Sequence, residues 1–153
     1  MANTYHQIYI QAIFAVKYRK TLLHKEWRDS MFSVMGNLIN ETGCSNIIVG
    51  GVEDHVHCFF GLKPSIALSE VMKTVKSKSS KWLNESNLLT DRFEWQTGYG
   101  AFSYSQSQID NVYQYVKNQE EHHKIHTFKE EYIWFLNHFD IPYDERYIFD
   151  DMV

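Results

Sequence analysis

Cysteine, proline and glycine are scarce in this chain of 153 residues, which contains two, two and seven of them. Cys44 and Cys58 alone cannot form a disulfide scaffold or a four-cysteine zinc site. No proline- or glycine-rich linker divides the sequence, so we expect one domain over residues 1–153, with an acidic, aromatic tail from about residue 124. No apolar run approaches the roughly 18 residues of a membrane span, and the N-terminus lacks a signal-peptide pattern. These absences predict a cytoplasmic protein without a membrane partner.

The net charge of −4 is unevenly distributed along the chain. Residues 1–119 carry 12 Lys and Arg against 10 Asp and Glu, a net charge of +2, whereas residues 120–153 carry 3 against 9, a net charge of −6. Residues 17–28 and 63–81 each hold five basic residues and one acidic residue. Such segments can bind a polyanion or form solvated faces, and the charge pattern leaves both interpretations open.

Hydrophobic spacing predicts the element order β-α-β-β-α-β, followed by a further helix. The predicted strands are residues 7–16, 46–52, 55–62 and 98–104, and the predicted helices are residues 25–42, 66–84 and 107–123. Another short helix is expected near residues 129–139. This is the ferredoxin-like split βαβ order, which predicts an α+β fold with an antiparallel sheet, two helices on one face and an added C-terminal helix.

The motif Asp54-His55-Val56-His57 opens the third predicted strand. Residues i and i+2 of a strand point to the same face about 7 Å apart, so the two imidazoles can converge on one metal ion. Val56 and Cys58 then face the core, which makes Cys58 a small buried residue rather than a ligand. A His-x-His pair can equally be structural, and the motif alone leaves that alternative open.

The predicted helix 107–123, which follows the β-α-β-β-α-β order, carries a phenol and an amide on one face. Tyr115 and Gln119 are four residues apart, hence neighbours on a helix. A phenol can act as a covalent nucleophile, and an amide oxygen can complete a metal shell. Tyr113 lies about 240° around the helix from Gln119, so we expect it to pack elsewhere. His122 follows on the same face and could approach the metal or DNA, whereas His123 is expected to be solvated.

Taken together, the motifs resemble those of the single-tyrosine HUH transposases of the smallest insertion sequences, including the related tyrosine transposases associated with palindromic repeats. The resemblance covers nearly the whole chain and is weaker over residues 124–153. It rests on five stretches, which are residues 17–19, 49–57, 76–80, 95–103 and 115–123. Its most specific part is the pair Asp-His-hydrophobic-His and Tyr-x-x-x-Gln, in this order and about 60 residues apart.

The resemblance implies a single HUH domain with metal-dependent DNA transposase activity. Such an enzyme cleaves and rejoins single-stranded DNA at hairpin-bearing element ends. Tyr115 would form a covalent 5′-phosphotyrosine, and His55, His57 and Gln119 would hold one Mg²⁺ or Mn²⁺ ion.

The resemblance also implies contacts with DNA hairpins and short flanking single strands. The candidate phosphate contacts are Lys17, Arg19, Lys73, Lys76, Lys78 and Lys81. Trp95 and Tyr99 are candidates for stacking on an unpaired base. Phe102 is another, although core packing is the stronger expectation for this residue.

A homodimer with shared sites is the last implication of the resemblance. Gly98, Gly100 and the polar residues 103–108 precede the tyrosine helix and could let it reach a second subunit.

Two alternatives to the transposase remain. One is a non-catalytic binder of single-stranded or hairpin DNA with structural histidines. The other is a small hydrolase in which His122 joins the His-x-His pair on zinc.

Overall fold

The computed structural model describes residues 3–148, so the very end of the predicted acidic tail lies outside the described residues. Its strands are β1 (Tyr9–Ala15), β2 (Ser45–Gly51), β3 (His55–Gly61) and β4 (Gly100–Tyr104). Its α-helices are α1 (Arg28–Glu41), α2 (Leu68–Glu85), α3 (Ile109–Lys117), α4 (Gln119–His122) and α5 (Phe128–His138). Within residues 3–148, none of these helices has the length and apolar character that crossing a bilayer requires.

The four strands form one antiparallel sheet in the order β2-β3-β1-β4. This arrangement confirms the predicted ferredoxin-like topology and the α+β class. At the centre of the sheet, Ala12 of β1 pairs with Cys58 of β3 on one side and with Ala101 of β4 on the other. Since β1 and β3 are bonded on both edges, their backbone polar groups are satisfied and their side chains are firmly positioned.

Alternation along β1 places one apolar face of the sheet against α1 and α2, as predicted. Phe14 is fully buried there, together with Val56 and Cys58 of β3. Burial raises the pKa of the Cys58 thiol to about 12, which fits a small core residue. Each fully buried side chain of the size of Phe14 contributes about 1.5–3 kcal/mol to folding.

The C-terminal helices cover the opposite face of the sheet. Ile13 and Ala15 of β1 pack there against Phe128 and Phe135 of α5. The helix α3 crosses β2 so closely that a Cβ atom at Gly50 would lie 2.8 Å from the carbonyl oxygen of Val116. Both faces of the central strands are therefore buried, and the histidine strand β3 lies between two layers of helices.

The predicted helix 107–123 is interrupted at Asn118, where φ is −98° and ψ is 25°. The helix α3 ends at Lys117, and the single turn α4 begins at Gln119. Glu120 of this turn accepts a hydrogen bond of 2.6 Å from the buried Arg28 of α1. After the break, Gln119 and His123 contact His55 of β3.

Candidate active site and metal centre

His55 and His57 lie side by side on β3, under α3 and α5, and both side chains are fully buried. Their rings are 5.3 Å apart between centroids. The Nδ1 atom of His55 is 2.7 Å from Asp54 Oδ1, and that of His57 is 2.7 Å from Gln11 Oε1. An oxygen acceptor at Nδ1 fixes the tautomer that carries its proton there and leaves Nε2 with a lone pair for a metal ion.

Glu131 of α5 occupies the centre of the site, although no sequence motif assigned it a role. Its side chain is only 1% exposed. Its Oε1 atom lies 3.0 Å from His57 Nε2, 3.4 Å from His55 Nε2 and 3.2 Å from His123 Nε2. The sequence does contain a signal for it, because a carboxylate stands between Phe128 and Phe135 at the helical spacing of the apolar face.

His123 belongs to this cluster, and the prediction that it is solvated is wrong. Its side chain is 9% exposed, and its ring is 4.4 Å from that of His55. Its Nδ1 atom is 2.8 Å from the backbone oxygen of His126. His123 follows Gln119 by four residues in one helical turn, with its backbone N–H bonded to the Gln119 carbonyl at 3.0 Å, and so lies on the face that contacts His55. The ligand atoms of His55, His57, His123 and Glu131 all lie within 4.8 Å of one another, close enough to hold a metal ion.

Tyr115 and Gln119 face the histidines of the same chain. The ring of Tyr115 lies 5.7 Å from that of His57, and its hydroxyl donates to Glu131 Oε2. The same hydroxyl is 3.3 Å from His122 Nε2. The side-chain oxygen of Gln119 is 3.3 Å from His55 Nε2. The structure thus brings together the predicted nucleophile and the three predicted metal ligands, with His122 beside them.

Burial and the Glu131 carboxylate shift the acid–base behaviour of the site. Burial raises the pKa of Tyr115, and the neighbouring carboxylate raises it further, so the phenol is protonated at neutral pH. Burial opposes a charge on His55, but Asp54 and Glu131 outweigh it and raise its pKa to about 9. Burial also opposes ionisation of Glu131, yet the surrounding histidines hold its pKa well below the ordinary value.

The segment that was predicted to let the tyrosine helix reach a second subunit forms regular structure. Residues Gly100–Tyr104 form β4, and the capping box of Ser105 and Gln108 follows immediately. Only a tight turn therefore connects β4 to α3, and it folds Tyr115 back onto its own sheet. In this single chain, Tyr115 and Gln119 face the histidines of their own sheet; the homodimer and the sharing of sites between its subunits stay predictions.

The predicted phosphate contacts lie outside this site. Three of them are exposed on α2, on the far side of the sheet from the histidines: Lys73, Lys78 and Lys81. Lys76 donates hydrogen bonds of 2.7 Å to two carbonyl oxygens of the loop before β4. Lys17 pairs with Glu94 at 3.3 Å, and Arg19 is exposed in the turn after β1. Any contact of these residues with DNA is therefore made away from the nucleophile.

The prediction that Trp95 stacks on a base is wrong. Trp95 is 7% exposed, and its ring packs edge-on against Phe14 and Phe93. Its indole nitrogen donates a hydrogen bond of 2.9 Å to Ser79 Oγ, so both its apolar and polar parts are satisfied in the core. Phe102 is also buried, as expected of a core residue.

Tyr99 stays a stacking candidate, and the structure adds Trp134 as a second one. Tyr99 is half-buried at the edge of the α1/α2 core. Trp134 of α5 is 55% exposed and lines a cavity of about 440 Å³ together with Tyr115 and His122. Its ring stacks on that of His138, with centroids 4.6 Å apart. Sequence reasoning missed Trp134, although its position off the apolar face of α5 predicts an exposed indole.

Comparisons with known proteins agree with this fold. The family described as "Transposase IS200 like" matches residues 4–119. The ISDra2 transposase TnpA of Deinococcus radiodurans is 22% identical over 121 residues, which cover 76% of this chain and 86% of the relative. A crystal structure of a Deinococcus radiodurans protein assigned as a transposase is similar with a TM-score of 0.64 and 20% identity, covering 78% of this chain and 95% of that one. A REP-associated tyrosine transposase bound to a REP hairpin is similar with a TM-score of 0.56 and 12% identity, covering 80% and 74%.

Proposed function

The chain belongs to the IS200-like transposase family, and we propose that it cleaves and rejoins single-stranded, hairpin-bearing DNA through a covalent bond to Tyr115. The observation that carries this proposal is the position of the Tyr115 phenol, whose ring is 5.7 Å from that of His57 in one buried cluster. A merely structural tyrosine would not need two histidines, an amide and a carboxylate around it. An element-end hairpin is the substrate we propose, since a structurally similar transposase is bound to a REP hairpin.

The proposed reaction exchanges one phosphoester bond for another. The phenolic oxygen of Tyr115 attacks phosphorus and the bond to the 3′ oxygen breaks, which leaves a 5′-phosphotyrosine and a free 3′-hydroxyl. The phenol loses one proton to the groups that contact its hydroxyl, which are the Glu131 carboxylate and His122 Nε2 at 3.3 Å, and the departing 3′ oxygen takes up one proton from water, so the exchange is balanced. A second 3′-hydroxyl can reverse the step, so rejoining needs no nucleotide cofactor.

A divalent metal ion fits the donor atoms of the site. We propose that His55, His57 and Gln119 would hold one Mg²⁺ or Mn²⁺ ion, which would supply stabilisation of the negative charge on the phosphate and on the departing oxygen. Both imidazoles have an oxygen at Nδ1, which leaves their Nε2 atoms for a metal ion, and the Gln119 oxygen is 3.3 Å from His55 Nε2. This is the orientation that ligands of a bound metal adopt.

Covalent adduct formation separates the transposase from its alternatives. The test incubates the full chain with Mg²⁺ or Mn²⁺ and single-stranded hairpin DNA from the flanks of its own gene, followed by a denaturing gel. A protein–DNA adduct supports the proposal. Cleaved DNA without an adduct would identify a hydrolase, and a shift in native gels alone would identify a non-catalytic binder.

The cavity beside Tyr115 suits the nucleotide next to the scissile phosphate, with its base on Trp134. Trp134→Ala is expected to weaken binding of single-stranded DNA by about 5- to 150-fold, because base–aromatic stacking contributes about 1–3 kcal/mol. Fluorescence anisotropy with a labelled oligonucleotide measures this change. Trp134→Phe keeps an aromatic face and should retain most of the affinity. Equal affinities of the alanine variant and the wild type would exclude Trp134 as a contact.

Mixing two inactive variants tests whether each chain completes its own site. His57→Ala and Tyr115→Phe chains carry one defect each, and every tyrosine lies beside the histidines of its own chain. We expect no cleavage from the mixture, even where native mass spectrometry detects mixed dimers. Recovered cleavage would mean that α3 is exchanged between the subunits of a homodimer.

A further inference from the structure

We propose that the carboxylate of Glu131 is a ligand of the same metal ion. The helix α5, which carries this residue, follows the family-matched residues 4–119. The inference rests on the proposed function only in requiring a metal ion at His55 and His57. It assigns to the C-terminal helix a part in the reaction that the motifs of the matched residues do not contain.

Two sets of atoms surround the Glu131 carboxylate: Oε2 accepts hydrogen bonds from Tyr115 and Gln119, and Oε1 faces the Nε2 atoms of three imidazoles. The Nδ1 atoms of His55, His57 and His123 all face oxygen acceptors, so the Nε2 atom of each ring points to the centre and offers a lone pair there when the ring is neutral. Glu131 Oε1 lies within 3.4 Å of all three Nε2 atoms. Acceptors held together away from water repel each other unless a cation lies among them. A metal ion bound by all of them satisfies every one of these atoms.

The spacing of these atoms matches a coordination shell. Ligand atoms about 2.1 Å from one ion lie about 3.0 Å apart in an octahedral arrangement and about 3.4 Å apart in a tetrahedral one. Glu131 Oε1 is 3.0 Å from His57 Nε2, 3.2 Å from His123 Nε2 and 3.4 Å from His55 Nε2. These three distances fall in the range of a coordination shell, and all four ligand atoms lie within 4.8 Å of one another.

The second carboxylate oxygen connects the proposed ion to the nucleophile. Glu131 Oε2 accepts the hydrogen bond of the Tyr115 hydroxyl, while Oε1 faces the histidines. One rigid side chain, buried between Phe128 and Phe135, therefore sets the position of the phenol relative to the metal. Since the metal binds α5 through this residue, metal binding and the packing of α5 stabilise each other.

The decisive experiment compares Glu131→Gln with Glu130→Gln. The two substitutions remove the same charge from neighbouring residues, but Glu130 is exposed and caps α5 with Thr127, which glutamine can also do. Isothermal titration with Mn²⁺, without DNA, should show binding weakened by about tenfold or more in Glu131→Gln. Glu130→Gln should bind Mn²⁺ as the wild type does. Unchanged affinity in a folded Glu131→Gln protein overturns the inference.

Two further measurements make the outcomes distinguishable. A wild type that binds no Mn²⁺ contradicts the metal site of the proposed function, whereas metal binding that is lost in His57→Ala but kept in Glu131→Gln contradicts only the role of Glu131. If Glu131→Gln does not fold, hydrogen exchange of the wild type tests the inference instead. The amides of α5 should exchange more slowly once Mn²⁺ is added, and unchanged exchange there refutes the inference.

Discussion

Tyr115→Phe is expected to eliminate the covalent protein–DNA adduct and to reduce cleavage by about 10⁴-fold or more, as loss of a nucleophile does in other covalent enzymes. The substitution removes one oxygen atom, which contacts Glu131 and lies 3.3 Å from His122. The phenyl ring keeps its packing against Phe135, so the fold and hairpin binding should persist. A denaturing gel measures the adduct, and circular dichroism measures the fold.

Tyr113→Phe is the matched control for this experiment. It removes the same atom two residues earlier on α3 and should leave adduct formation intact. An adduct that survives in Tyr115→Phe and disappears in Tyr113→Phe would transfer the nucleophile to Tyr113. Loss of hairpin binding in Tyr115→Phe would instead mean that the phenol holds DNA.

His57→Ala is expected to lower metal-stimulated cleavage by about 100-fold or more, since it removes a proposed metal ligand. It should also reduce the free energy of unfolding by about 1–3 kcal/mol, because Gln11 and Glu131 are left buried without their partner. Cleavage assays with and without a chelator, titration with Mn²⁺ and denaturant unfolding measure the three effects.

His6→Ala changes an exposed histidine and should alter none of these quantities. Cleavage by the wild type should stop when a chelator is added and resume when Mg²⁺ or Mn²⁺ is added in excess over the chelator. If His57→Ala only loses stability, and the wild type neither binds metal nor responds to the chelator, His57 is a structural residue.

Local periodicity was sufficient to predict the sheet and half of the site. Alternation along β3 correctly separates His55 and His57 from Val56 and Cys58, because a strand repeats every two residues. Helical spacing likewise places Tyr115 and Gln119 together. These contacts arise within one element, so the sequence around them contains the necessary information.

The remainder of the site depends on contacts between distant parts of the chain. Glu131 contacts His57, which lies 74 residues earlier in the chain. The residues near Glu131 do not indicate which surface α5 will cover. Trp95 was misassigned for the same reason, since its partners Phe14 and Ser79 lie far from it in the sequence. His123 is four residues after Gln119, and its burial depends on the distant His55 and Glu131, which the sequence around it does not reveal.

The absence of a side chain at Gly50 sets how closely α3 approaches the sheet. Gly50 pairs with His57 across β2 and β3, and on its other side it meets the backbone of Val116, the neighbour of Tyr115. Even one methyl group there would collide with the Val116 carbonyl and lift α3 from the sheet. A substitution of Gly50 is therefore expected to displace Tyr115 from His57 without altering any residue of the proposed site.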